Sequence, residues 1–283
     1  MSGLLFNPSR SFVLLLLLAA AATVASGQQP LLVSPGPAIR FDAIEKLGDA
    51  PKPPLLRRKA ETIIADFIEA EAKLRAELNH YTFRRDVVLQ TIGPSGEVTG
   101  EYVRNSQFVL DDRGNRVERV LYHPQPSIRE MHITREDIQD LAGAQLLGVD
   151  VFEPQKYQLT FAGRAVLGQR NTDVIDVAPR QTPDPHQMSQ RFFVGRIWVD
   201  STSSQIVKVR GVVEPHGKQR FPLFETVREQ VGTPLPFPVS TEADDVLHFN
   251  NRDVHYRIKV RYYRYQRFAS QVSITEMGDT PDN

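Results

Sequence analysis

The amino-acid sequence predicts a mainly β protein of the α+β type. Alternating apolar and polar residues recur in about 9–11 segments, and short turns rich in Gly, Asn and Asp join several of them. Two helical patterns occur, without the regular exchange of strands and helices that builds a parallel sheet. We therefore expect an antiparallel sheet that is long enough to curl, with a long N-terminal helix and a shorter second helix packed on it.

The first 27 residues have the order of a secretory signal peptide. Arg10 precedes an apolar run at 12–22, and small residues follow at 25–27. This run is shorter than the about 20 apolar residues of a membrane-spanning helix, although a retained anchor is the alternative. The chain has no cysteine, which leaves no residue for N-terminal lipid attachment. We expect a periplasmic or secreted protein with no transmembrane segment after signal cleavage.

The balance of basic and acidic residues argues against a partner that is a nucleic acid. Without Arg10 the chain carries 33 basic residues (34 less Arg10) against 34 acidic ones, whereas domains that bind nucleic acids are usually strongly basic. We therefore expect no nucleic-acid partner.

The sequence predicts four segments along the chain. They are a signal peptide at 1–27, a Pro-rich linker or arm at 28–54, one domain at 55–270 and a polar tail at 271–283.

The elements of the domain follow from periodicity. Apolar residues three and four positions apart predict a helix over 57–80, interrupted on its apolar face by Glu71. Strands are expected at 81–91, 100–110 and 116–122, and a second helix at 134–147. Further strands are expected within 157–213 and 221–229 and in a hairpin at 245–268, with a proline-rich loop at 233–240.

Residues with catalytic potential do not form a recognisable site. The seven histidines lack zinc-ligand spacing, and Ser203 and Ser204 lie in a turn-forming stretch. His248 and His255 lie near three aspartates, but a solvated turn is the simpler interpretation. We assign no catalytic residue, metal ligand or cofactor, and expect a protein that is not an enzyme.

The stretch 157–213 carries a resemblance to a known family. The segment AGRAVLGQRNTDVIDVAP is followed by FFVGRIWVDSTSSQIVKVRG, in which a strand leads to I-W-V-D, a polar turn and a returning strand. With the signal peptide and the early helix, this order resembles the LolA-like periplasmic lipoprotein carriers, especially the outer-membrane-lipoprotein-sorting type. The turn DDRGNRVERVLY lacks the Trp common in the carriers themselves. The resemblance implies a strongly curved antiparallel sheet or incomplete β-barrel, that is, a half-barrel whose lumen holds apolar ligands. The sorting activity itself is not carried over to this chain.

Two functions remain open. The first is a non-enzymatic carrier that holds a lipid or acyl chain in a half-barrel cavity, and strand parity supplies candidate lining residues: Ile63, Phe67, Tyr102, Phe108, Leu159, Phe161, Trp198 and Tyr262. The second is a cell-envelope module that captures a protein through an edge strand or the face 255–265, where a partner or an anion would meet Arg257, Lys259, Arg261 and Tyr263. A hydrolase or metalloenzyme is a distant third.

Overall fold

A computed structural model describes residues 58–130, 154–181, 192–214, 222–249 and 252–268. The predicted signal peptide, the arm at 28–54, the second helix at 134–147 and the tail at 271–283 lie outside these residues. The described residues belong to one compact unit. Among them, no helix combines the length and the apolar character needed to cross a membrane.

Helix α1 spans Ala60–Leu78, 19 residues, so the long N-terminal helix predicted over 57–80 is wrong in its length at both ends. Lys59 has extended backbone angles, so the helix begins after it. At the other end the His80 amide donates to the Glu77 carbonyl, and this turn leads directly into a strand. The helix buries one stripe of side chains, at positions three, four or seven residues apart: Ile63, Phe67, Glu71, Leu74 and Leu78.

Ten strands account for most of the remaining described residues, within the predicted range. They are β1 (Tyr81–Ile92), β2 (Val98–Leu110), β3 (Arg116–Tyr122), β4 (Tyr157–Leu167), β5 (Arg170–Pro179), β6 (Phe192–Asp200), β7 (Ile206–Glu214), β8 (Phe224–Glu229), β9 (Phe237–Phe249) and β10 (Arg252–Arg267). Every described pairing is antiparallel, in the order β3-β2-β1-β10-β9-β8-β7-β6-β5-β4. Among the described strands, β3 and β4 therefore form the two edges, and the sheet is not closed between them.

The sheet curves around α1. Nine strand spacings would place the two edges about 43 Å apart in a flat sheet, whereas a helix of this length is about 28 Å long. Nevertheless, α1 contacts β4, and Arg116 of β3 donates to the carbonyl of Leu78 at the helix end. Both edges therefore bend towards the helix. We call the sheet surface that packs against α1 the concave face, and the opposite surface the outer face.

Strand β9 begins within the segment predicted as a proline-rich loop. Pro238 lies in the strand and pairs with Arg228 of β8, and an irregularity in the register follows directly, between Val227 and Arg228. A proline that cannot donate to the ladder is tolerated at such a bulge. The Pro238 carbonyl accepts a hydrogen bond from the Tyr265 hydroxyl at 2.8 Å, which ties this end of β9 to β10. The predicted loop 233–240 is thus wrong at its last four residues.

A bulge also changes the predicted faces of β10. Simple alternation places Tyr265 with Tyr263 on the outer face, but Tyr265 packs against the core. The register shifts opposite Phe83, and Arg264 has a φ of 56°. The extra residue reverses the alternation beyond Tyr263, so Tyr265 points back towards the concave face.

Candidate functional site on the concave face

The concave face gathers most of the residues predicted to line a cavity. Four of them belong to the main buried cluster, and three more pack against it while remaining half-buried. The buried four are Ile63, Phe67, Tyr102 and Tyr262, and the half-buried three are Phe108, Leu159 and Phe161. Parity in the strands and the helical stripe therefore brought seven of the eight candidates together. Whether they contact a ligand stays a prediction.

Trp198 is the exception, because it lies on the outer face. It forms a small apolar cluster with Val174 and Val207, and the Lys208 ammonium lies 5.0 Å from the centre of its ring. Its strand neighbours Phe193, Ile197 and Val199 point to the concave face. The alternation along β6 predicts that the face with Phe193, Ile197 and Val199 is the core face. The sequence therefore contained the signal that separates Trp198 from the other candidates.

Half-buried apolar side chains mark both margins of the concave face. Near one edge, Phe108 of β2 and Ile128 pack against the main cluster. Near the other edge, Leu159 and Phe161 of β4 do the same, and the helix adds Ile64 and Ile68. Apolar groups that keep partial exposure beside a buried core could be covered further by an apolar ligand.

A row of polar side chains crosses the concave face between the apolar ones. On β1, for example, Arg85 lies between Phe83 and Val87, all three buried. We call this row the polar belt; it runs over six neighbouring strands from β8 to β3 and comprises Arg228, Thr226, Thr241, Tyr262, Arg85, Ser106 and Glu118. The sequence alone does not predict the belt, because its members come from distant parts of the chain.

Members of the polar belt are connected by hydrogen bonds or lie directly opposite each other on paired strands. The Thr226 and Thr241 hydroxyls are 2.8 Å apart, and Thr241 lies 3.3 Å from the Tyr262 hydroxyl. Tyr262 is directly opposite Arg85, which is directly opposite Ser106. Burial raises the pKa of Tyr262 well above its usual value, so the phenol stays protonated and can donate.

The belt meets the helix at a buried ion pair. Arg228 Nη1 lies 2.7 Å from Glu71 Oε1, and neither side chain is exposed. Burial raises the pKa of Glu71 and outweighs the attraction of Arg228, which acts in the opposite direction. Glu71 is the residue that interrupts the apolar stripe of α1, so the sequence marked one partner but could not identify the other.

At the opposite end, one carboxylate holds two guanidinium groups. Glu118 Oε1 accepts from Arg85 Nη2 at 2.9 Å, from Arg104 Nε at 3.0 Å and from the Ser106 hydroxyl at 2.6 Å. Its Oε2 accepts from Arg104 Nη2 at 3.1 Å. Although burial acts to raise the pKa of Glu118, these hydrogen bonds and charges hold it below its usual value. The Arg85 group also stacks on Phe108, 4.6 Å from the ring centre.

Arg116 brings a further positive charge to the same edge. Its guanidinium donates to the Leu78 carbonyl and lies 5.4 Å from the centre of the Phe83 ring. Among the described residues it has no carboxylate partner, and its buried Nε has no hydrogen-bond acceptor. Burial lowers the pKa of Arg116, but a guanidinium remains charged in proteins.

The face proposed for a partner or an anion lies on the outer side of β10. Arg257, Lys259, Arg261 and Tyr263 alternate with core residues, but β10 pairs on both sides and is not an edge. Carboxylates accompany the positive charges: Asp244 accepts from Arg257 at 2.9 Å and contacts His255 at 2.5 Å. Asp86 accepts from Tyr263 at 3.2 Å and lies opposite Arg261 in the register.

A groove of about 670 Å³ lies on this outer face, across β7 to β10. It contains groups of both charges and some apolar ones: Arg210, Leu223, Phe224, Glu225, Val227, Ser240, Glu242, Ala243, Asp244, Arg257, Ile258 and Lys259. Glu225 contacts Lys208 at 2.7 Å, so part of the charge is paired internally. The mixture does not favour an anion over other polar ligands.

Comparison with known proteins shows that this chain is similar in fold to several solved structures. No protein-family model matches the chain, and no curated protein matches it. A DUF1329 family protein from Desulfovibrio piger has 11% identity and a TM-score of 0.37, over 72% of this chain and 92% of its own. An outer membrane lipoprotein-sorting protein domain from Vibrio parahaemolyticus has 8% identity and a TM-score of 0.34, over 74% and 94%.

A LolA superfamily protein from Nitrosomonas europaea has 9% identity and a TM-score of 0.31, over 76% of this chain and 96% of its own. The neighbours thus include the superfamily that the stretch 157–213 resembles. With TM-scores below 0.4, these likenesses carry no argument about function.

Proposed function

We propose that this chain is an exported, non-enzymatic carrier that holds a lipid or acyl chain on its concave face. The pair of apolar margins is the observation that carries this proposal. Phe108 and Ile128 lie beside one edge of the open sheet, and Leu159 and Phe161 lie on the other edge. All four pack against one buried cluster and are still half-exposed, so a ligand at either margin would continue the core.

The energetics favour an apolar ligand with a long chain. Each methylene group that becomes buried contributes up to about 0.8 kcal/mol, so the affinity of either margin should rise with the length of the chain. The Phe108 ring is stacked on Phe83 with the ring centres 4.7 Å apart, and it remains partly exposed, so such a chain can contact it. The signal-like order at 1–27 supports export, which is part of the same proposal.

The proposal is tested by analysing what the protein carries. The chain is produced with its own N-terminus in a bacterium, purified without detergent and extracted with organic solvent, and the extract is examined by mass spectrometry. We expect lipid in stoichiometric amount. The Phe161→Ala variant should carry less, because it removes part of one margin. Val166→Ala is the matched control, since Val166 lies on the same strand and is 67% exposed. An extract without lipid from the folded wild-type protein contradicts the proposal.

A second function is favoured by a different observation at edge strand β3. Four of its seven residues are large, apolar and 42–57% exposed: Val117, Val120, Leu121 and Tyr122. An edge of this kind can accept a strand from another protein of the cell envelope. Crosslinking in an envelope fraction tests this function: Leu121→Lys should abolish a specific crosslinked product, whereas Lys259→Glu on the outer face of β10 should not. Retention of the product in Leu121→Lys contradicts it.

A further inference from the structure

The cluster of Arg85, Arg104, Ser106 and Glu118 is already a binding site for a carboxylate. Its three donors place four hydrogen bonds on the two oxygens of Glu118, at 2.6 to 3.1 Å. We call the donor groups of Arg85, Arg104 and Ser106 the fork. An arrangement of this kind recognises a carboxylate through geometry as well as charge. The carboxylate that occupies it comes from the edge strand β3, which has only β2 as a neighbour among the described strands.

The cluster is open to solvent on the side of that edge. Arg85 is 3% exposed and Ser106 is buried, whereas the side chains of Arg104 and Glu118 keep 17% and 24% of their exposure. A ligand could therefore reach Arg104 and Glu118 from the margin without unfolding the core. Because Phe108 carries the Arg85 guanidinium on its ring, stacks on Phe83 and is itself half-buried, an apolar chain attached to the ligand's head would contact the exposed part of this ring.

The charges at this margin favour a negative head. Arg104 contacts both oxygens of Glu118, and this pair is neutral. Arg85 donates to the same carboxylate at 2.9 Å, so two guanidinium groups face the single negative charge of Glu118. An anion beside Glu118 would thus be within reach of two guanidinium groups, and hydrogen bonds to such charged groups are strong.

We propose that Arg85 and Arg104 bind the head group of a long-chain carboxylate such as a fatty acid, with Glu118 displaced from part of the fork. The acyl chain then extends past the exposed part of Phe108 along the apolar margin. This inference rests on the proposed function and makes it more specific, because it names the ligand class and the residues that select it. Glu118 acts as an internal competitor that occupies the fork when no ligand is present.

Calorimetric titration of the full-length protein, stripped of lipid, tests the inference with two probes of equal chain length. Dodecanoate carries the head group, and 1-dodecanol replaces it with a neutral hydroxyl. At pH 8 we expect dodecanoate to bind about tenfold or more tightly than 1-dodecanol, since a hydrogen bond to a charged group contributes about that factor. Arg104→Gln should remove this preference and leave the affinity for 1-dodecanol unchanged.

Glu118→Gln should have the opposite effect. It keeps the size of the side chain and removes the competing charge, so dodecanoate should bind more tightly than to the wild type. A general loss of folding cannot produce opposite shifts in two neighbouring residues. Arg119→Gln is the matched control, because Arg119 is exposed on the same strand and contacts none of these groups in the described structure.

The possible outcomes distinguish the inference about the head group from the proposed carrier function. Equal affinity of the wild type for the two probes overturns the inference and leaves the carrier function standing. Failure to bind either probe overturns both. A preference for dodecanoate that survives in Arg104→Gln overturns the assignment of the head group to this fork.

Discussion

The buried pair of Glu71 and Arg228 should respond asymmetrically to removal of its partners. Glu71→Leu leaves a guanidinium that cannot lose its proton, so the free energy of unfolding should fall by about 3–5 kcal/mol at any pH from 5 to 8. Arg228→Met leaves a carboxylate that can take up a proton. Its penalty is then limited by the free energy of protonating a group whose ordinary pKa is 4.5. At about 1.36 kcal/mol per pH unit, this limit is about 3.4 kcal/mol at pH 7 and about 0.7 kcal/mol at pH 5.

The double variant Glu71→Leu/Arg228→Met should recover most of the lost stability, because it removes both charges and keeps the volume apolar. Urea unfolding, followed by the fluorescence of the single Trp198 and by far-UV circular dichroism, measures all four proteins at pH 5 and pH 7. Glu69→Leu, exposed on the same helix, and Arg210→Met on the outer face are the controls. An equal Arg228→Met penalty at the two pH values, or a Glu71→Leu penalty below about 1 kcal/mol, would refute the reasoning.

Three further predictions concern backbone and charge. Gly195→Ala should destabilise the protein by about 2 kcal/mol or more in urea unfolding, because the new Cβ would lie 2.3 Å from the Arg210 carbonyl oxygen and 2.6 Å from the Gly211 Cα. Arg264→Gly should raise the unfolding free energy by up to about 1 kcal/mol, since glycine adopts a φ of 56° without steric cost; a measured loss would contradict this. The pKa of Glu118 is lowered in the folded protein, so its contribution to stability is present above pH 4.5 and disappears as the pH falls through its folded value. Glu118→Gln should therefore flatten the stability profile below pH 5, and a profile identical to that of the wild type would contradict the assignment.

Sequence periodicity predicted the elements well where alternation runs without interruption. Strand β3 begins and ends at the predicted residues, and seven of the eight cavity candidates lie on or against one cluster. The errors occur where the alternation is broken or where both faces are apolar. Tyr265 changes face after the bulge at Arg264, and Trp198 belongs to a second apolar cluster on the outer face. A bulge depends on the partner strand, so the residues of one strand do not reveal it.

The polar belt could not be predicted for a related reason. Glu71 and Arg228 are 157 residues apart in the chain, and each alone resembles an error in an apolar pattern. Arg85 likewise interrupts the inward-facing positions of β1. A charge at an inward position signals that a partner exists somewhere on the same face, because an unpaired charge in the core is too costly. The identity of that partner requires the strand order, and the order β1-β10-β9-β8 places late residues beside early ones.

The polar belt also suggests how a carrier with an apolar site could discriminate between ligands. An apolar surface alone distinguishes ligands poorly, since each methylene contributes about the same free energy whatever its neighbour. A carboxylate bound by Arg85 and Arg104 would add a group whose loss leaves charges unsatisfied, which discriminates far more strongly than one methylene does. Glu118 limits the absolute affinity because it competes for the same donors. A ligand that must displace it can be released again, and this suits a carrier better than irreversible binding would.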